Sequence, residues 1–177
     1  KVIKFVRTGE PFGGYVLGGA SPSGVISTAG AIYVSNGNQD SITVIDALTL
    51  LPRTTIPLRI PGLEEFRGIL PIGLSLDIPN GRLLVAEAGI NAIGIVDLGS
   101  NKLTGHIPAA GFPTAAMVDR GQLIVASAKG LGTGPNATRV GPLEKSFQAE
   151  LRRGALSVGS SPLNRLLPML TDQVMTL

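Results

Sequence analysis

The chain has 177 residues, 44% of them hydrophobic and 15% charged, which suits one domain with a packed core and excludes a disordered polyampholyte. The net charge of +3 comes from scattered Lys and Arg with no basic run interleaved by aromatics, so nothing points to nucleic acid. Cys is absent, which removes disulfide and thiolate chemistry, and no stretch approaches the roughly 18 apolar residues of a membrane-spanning helix.

The chain opens at Lys1 with Val2-Ile3-Lys4-Phe5-Val6, a strand-like run. Lys1–Gly19 is expected to form the last strands of a preceding unit, with upstream sequence missing. Short β-branched runs then predict strands near Gly24–Thr28, Ala31–Ser35, Ser41–Ala47 and Arg53–Leu58. A second set falls near Leu74–Ile78, Arg82–Glu87, Ala92–Leu98 and Lys102–Ile107. A third begins with Ala115–Asp119 and Gln122–Ser127, runs into a long glycine-containing loop, and continues near Ser146–Leu151 and Gly154–Val158. After Ser161-Pro162, read as N-cap and first helical residue, Leu163, Leu166, Leu167, Leu170 and Val174 recur at helical spacing.

These sets are copies of one unit. Pro22-Ser-Gly-Val-Ile-Ser aligns with Pro71-Ile-Gly-Leu-Ser-Leu and with Pro113-Thr-Ala-Ala-Met-Val. Ala31-Ile-Tyr-Val-Ser-Asn, Arg82-Leu-Leu-Val-Ala-Glu and Gln122-Leu-Ile-Val-Ala-Ser follow in turn. The first two copies add Ser41-Ile-Thr-Val-Ile-Asp and Ala92-Ile-Gly-Ile-Val-Asp, and end in Thr55-Ile-Pro and His106-Ile-Pro. Four short strands repeating every 40–50 residues or so are the signature of a β-propeller blade. The fold class is therefore all-β, a partial β-propeller of about three to four antiparallel blades with a C-terminal helix. Residues 1–160 form the incomplete propeller, and residues 161–177 form a helix or linker toward a missing domain.

The units resemble the YVTN-type propeller repeat. Four stretches are similar, more narrowly, to bacterial proteins in which such a propeller precedes a phosphoesterase domain of the alkaline phosphatase superfamily. They are Arg59-Ile-Pro-Gly-Leu-Glu-Glu-Phe-Arg-Gly, Val85-Ala-Glu-Ala-Gly-Ile-Asn-Ala-Ile, Gly111-Phe-Pro-Thr-Ala and Ala128-Lys-Gly-Leu-Gly-Thr-Gly-Pro-Asn. Gly154-Ala-Leu-Ser-Val with the Leu-rich tail resembles the link into that domain. The resemblance covers the chain from about Ala20 onward. It implies a whole propeller of about seven blades, a periplasmic or extracellular location and a phosphoesterase partner domain, with any parent hydrolase activity carried outside these residues.

No catalytic residue, metal site or cofactor is expected within the chain. A two-metal phosphatase site needs several Asp and His ligands, and the single His106 lies inside a strand repeat, where it is expected as a partly exposed sheet residue. One His also leaves no defensible Ser-His-Asp grouping. Asp46 and Asp97 recur at equivalent positions and are expected as turn hydrogen-bond acceptors. Asn36-Gly-Asn-Gln-Asp40 faintly resembles a calcium loop but lacks the later acidic ligand, so a polar turn accounts for it better.

The long connections, Arg59–Leu70 and Ala128–Pro142, should share one rim of the blades, opposite the tight turns Ala29-Gly30, Pro79-Asn80-Gly81 and Arg120-Gly121. Insertions in repeat folds gather on the binding face. The ligand candidates there are Arg67, Glu87, Asn91, Lys129 and Asn136. Glycines 130, 132 and 134 beside Lys129 could turn N–H groups toward an anion, although a crossing loop near the axis explains the run more simply. Glu87 and Asn91 could meet a cation or a sugar hydroxyl at a channel mouth. The plainer alternatives are a turn cap for Asn91 and, for Glu87, solvation or an Arg partner. Partners are then missing blades, other copies of the chain closing a ring, or a phosphoesterase domain.

Overall fold

A computed structural model describes residues 1–10, 19–129 and 154–176. The first blade consists of β1 (Pro22–Ser27), β2 (Ala31–Asn36), β3 (Ser41–Asp46) and β4 (Pro52–Pro57). The second consists of β5 (Pro71–Asp77), β6 (Arg82–Glu87), β7 (Ala92–Asp97) and β8 (Lys102–Pro108). Each is a four-stranded antiparallel meander in sequence order. The third blade is a three-stranded sheet of β9 (Pro113–Asp119), β10 (Gln122–Ser127) and β11 (Ala155–Ser160), with β10 in the middle. The expected strand at residues 146–151 lies outside the described residues.

Alternation along each strand builds two cores. On the second blade, Leu83, Val85 and Val96 face the first blade and meet Tyr33, Ile42, Val44, Ile56 and Leu58. The intervening Leu84, Ala86, Ile93 and Ile95 face the third blade and meet Leu123 and Val125. A sheet buried on both faces reads as continuous apolar sequence, and every residue of β6 is buried. The innermost strands β1, β5 and β9 lie side by side. Gly24 and Gly73, third residues of their strands, permit this approach: a Cβ at Gly24 would lie 2.7 Å from the Ile72 carbonyl oxygen, and one at Gly73 2.3 Å from that of Thr114. The equivalent residue of the third blade is Ala115.

The tight turns behave as their chemistry requires. Arg120 and Gly121 both take positive φ in a two-residue hairpin. Pro79-Asn80 instead sits in a short 3-10 turn, Ile78–Asn80, closed by left-handed Gly81, whose N–H donates to the Ile78 carbonyl. Asp46 and Asp97 are turn acceptors: Asp46 accepts the N–H groups of Leu48 and Thr49 and pairs with Arg53, and Asp97 accepts the Ser100 N–H and hydroxyl.

Two expectations are corrected. Residues 1–10 form no strand. They cross the outer side of the first blade, where the Gly9 N–H donates to Thr43 Oγ1 and Lys4 Nζ to the Thr49 carbonyl. The composition of Val2–Val6 favours a strand, but strand structure needs a paired neighbour, and this segment has none among the described residues. The C-terminal helix starts later than Pro162. A 3-10 turn, Asn164–Leu166, precedes α1 (Leu167–Val174), and Ser161 caps neither. Pro168 decides the start, because inside a longer helix its ring would strike the carbonyl four residues earlier. The helix packs back on β8. Leu167 is buried in the core between the second and third blades, and Thr171 Oγ1 accepts the His106 N–H at 2.9 Å while donating to the Leu167 carbonyl. Gly105 leaves room, since a Cβ there would lie 2.9 Å from Thr171 Oγ1.

Candidate functional site

The rim that carries the long connections is built by one clasp, copied from blade to blade. Just before each blade, Ser21, Leu70 and Phe112 take positive φ. Their carbonyls accept N–H groups from Gly37, Ala88 and Ala128, the residues that follow β2, β6 and β10. The preceding carbonyls of Ala20, Ile69 and Gly111 accept from Asn38, Gly89 and Lys129. A second tie links each blade to the next. Asp40, itself left-handed, accepts the Leu70 N–H at 2.9 Å and the Gly68 N–H at 2.8 Å. Asn91, left-handed at the equivalent turn, accepts the Phe112 N–H through Oδ1 at 2.8 Å. The hydrogen bonds return part of what a left-handed, bulky Leu or Phe costs in backbone strain.

Antiparallel order places the β2–β3, β4–β5, β6–β7 and β8–β9 connections on this rim, together with the end of β10 and the start of β11. Arg59–Leu70 thus shares it with Ala128 and Lys129, and the tight turns lie at the other end. The candidates divide accordingly. Arg67 is exposed and donates to the carbonyls of Glu64 and Phe66. Lys129 is exposed, its ammonium 5.5 Å from the centre of the Phe112 ring. Asn91 is exposed, but its side-chain oxygen is used by the clasp. Asn136 lies outside the described residues. Asn36–Asp40 is a polar turn: Asn36 Nδ2 donates to Ser41 Oγ and Thr43 Oγ1, and the Asp40 carboxylate is taken by the next blade. Among the described residues, no group of three His, Cys, Asp or Glu is placed to hold a metal ion.

Glu87 is neither solvated nor paired with Arg, and His106 is not partly exposed. Both are fully buried, with His106 Nδ1 2.6 Å from Glu87 Oε2. His106 Nε2 lies 3.2 Å from the Arg59 carbonyl oxygen, at the root of the β4–β5 loop. Burial pushes the Glu87 carboxyl upward, and the opposing pull of His106 does not cancel it. Burial pulls His106 down, but the Glu87 hydrogen bond and charge outweigh it and the net direction is up.

Local sequence explains the pair. In the first blade the equivalent positions are Asn36, Thr43 and Thr55, joined by short hydrogen-bonding side chains and strand pairing. In the second blade all three change together, to Glu87, Gly94 and His106. Gly94 pairs with His106 across the strands, and a Cβ on Gly94 would lie 2.4 Å from Glu87 Oε1. The glycine therefore makes the space through which Glu87 reaches His106. Reading each blade alone missed this, whereas the joint departure of three equivalent positions was present in the sequence. His106 also lines a cavity of about 370 Å³ with Arg59, Thr104, Thr171 and Asp172, between the rim loop and α1.

No protein-family model matches the chain, and no curated protein matches it. Among solved structures, a hydrazine synthase from Kuenenia stuttgartiensis superposes with a TM-score of 0.55 at 18% identity, covering 68% of this chain and 33% of that one. A virginiamycin B lyase from Staphylococcus aureus, with quinupristin, gives 0.46 at 19% identity, with 62% and 35% covered. The Pan2 WD40 domain of Neurospora crassa gives 0.45 at 12%, with 59% and 29% covered. This chain thus spans about a third of the length of each. The first likeness speaks to fold alone. The chain is a partial β-propeller whose sheets, among the described residues, do not close.

Proposed function

We propose that this chain is a non-catalytic propeller module that binds through the rim of its long connections. The supporting observation is the convergence of Arg59–Leu70, Asn91, Phe112 and Lys129 on one end, wired together by backbone hydrogen bonds. A wired rim presents side chains with little ordering cost on binding, and its exposed Arg67 and Lys129 suit an anionic or acidic partner surface. The YVTN-like units and the Lys129-Gly-Leu-Gly-Thr-Gly-Pro-Asn run add a finer reading, in which the module serves a phosphoesterase domain in a secreted or periplasmic bacterial protein and shapes access to it. The test reads the parent frame for a phosphoesterase domain, whose absence would overturn the finer reading, and mixes any such domain with this chain as separate proteins. Association that weakens on Arg67→Glu with Lys129→Glu is the expected outcome. Association unchanged by that double substitution would remove the rim from the interface.

A second reading has its own support. The side of the third blade away from the second carries Met117, Leu156 and Val158, 51%, 68% and 56% exposed. Apolar blade faces normally pack on another blade, so copies of this chain, or missing blades, would cover it. Concentration-dependent sedimentation of the pure chain separates this reading from the first.

A further inference from the structure

The two contacts of the His106 ring fix its proton count. The Arg59 carbonyl can only accept, so Nε2 must carry a hydrogen. Nδ1 then meets Glu87 Oε2 at 2.6 Å, which needs one more proton, on either the nitrogen or the carboxyl. If that proton leaves, a bare Nδ1 lone pair faces a carboxylate, or the ring turns its hydrogen to Glu87 and faces the Arg59 carbonyl with a lone pair. One contact must break. We propose that Glu87 and His106 form a proton-dependent latch: their shared proton holds the root of the β4–β5 loop shut on the second blade, and its loss as pH rises frees the loop from the rim.

The charged groups around the ring are few. Glu87 comes from β6, the half-buried Arg59 from the loop itself, Asp172 from α1 across the shared cavity, and buried Asp40 from the β2–β3 turn. Glu65 and Arg67 act on Arg59 from farther along the loop. Asp40 is held by loop N–H groups on its other side, so opening must also break its bonds to Gly68 and Leu70. The pair belongs to the second blade alone, because the first blade has Asn36, Thr43 and Thr55 in the same places. The latch requires no bound partner and stands apart from what the rim binds.

The direction follows from linkage. His106 titrates above its ordinary value in the closed state. The proton's contribution is therefore complete below the open-state value of about 6.5 and is lost as pH rises through the raised one. Across that window the opening equilibrium grows by up to about tenfold per pH unit.

The experiment follows the imidazole nitrogens of His106 and the amide protection factors of Gly68 and Leu70, whose N–H groups tie the loop to Asp40, by NMR in the full chain, from about pH 6 to about pH 9. In wild type, protection should fall in step with the His106 titration. Glu87→Gln should abolish that fall while keeping the loop closed, because a Gln amide can donate to Nδ1 with Nε2–H still on Arg59 and no extra proton. His106 titrating at or below about 6.5 in wild type would overturn the latch without any variant. So would an equal fall of protection in wild type and Glu87→Gln.

Discussion

Asp40 and Asn91 do the same job with different strength, and the difference is measurable. Asp40 brings a buried carboxylate and two acceptor bonds, whereas Asn91 brings one neutral bond at the surface. Asp40→Ala should cost about 2–3 kcal/mol and Asn91→Ala about 1 kcal/mol, read as separate shifts in thermal unfolding. Gly94→Ala should cost about 1–3 kcal/mol by forcing a methyl against Glu87. If that variant unfolds like wild type, the space above Gly94 is not what seats Glu87. On the acid side, the Asp46 carboxyl is held well below the usual range by the Thr49 N–H and by Arg53, and the Asp97 carboxyl is lowered by Ser100. Their depressed values add stability that is present above about pH 3.9 and lost as pH falls further. Asp97→Asn should flatten part of the acid limb of a pH–stability curve.

At the scale of elements, the strands were legible because their signals are local. β-branched runs and turn residues placed β6 and β10 at their observed ends, and the other strands seen among the described residues of the repeat within three residues. What escaped depended on contacts far apart in sequence. The 19-residue separation of Glu87 and His106 means something only once β6, β7 and β8 are aligned. Residues 1–10 had strand composition without a partner edge, and the start of α1 was set by Pro168 rather than by leucine spacing. The helix itself offers a test. Thr171→Val keeps the shape but removes the acceptor of the His106 N–H, leaving that buried donor unpaired. A loss of about 1–3 kcal/mol is expected, with faster amide exchange at His106 as the specific sign.

Among the described residues, three blades in series bury the middle one on both faces and leave the outer two each with one face unmatched by another blade. Pure chain should therefore associate as concentration rises, measured by sedimentation, and a monomer with one sharp unfolding transition would contradict this. The alternation of Gly24, Gly73 and Ala115 bears on how any such array could continue. Between the described blades, each step is as short as a missing methyl allows. At Ala115 the methyl is present, so a neighbour arriving on that side must stand farther off or tilt. A step across Ala115 would then differ from the two steps that Gly24 and Gly73 permit. A wheel of equal sectors cannot be assembled from copies that change their step at one end, so closure by self-association would give an uneven ring or an open arc rather than a regular disc.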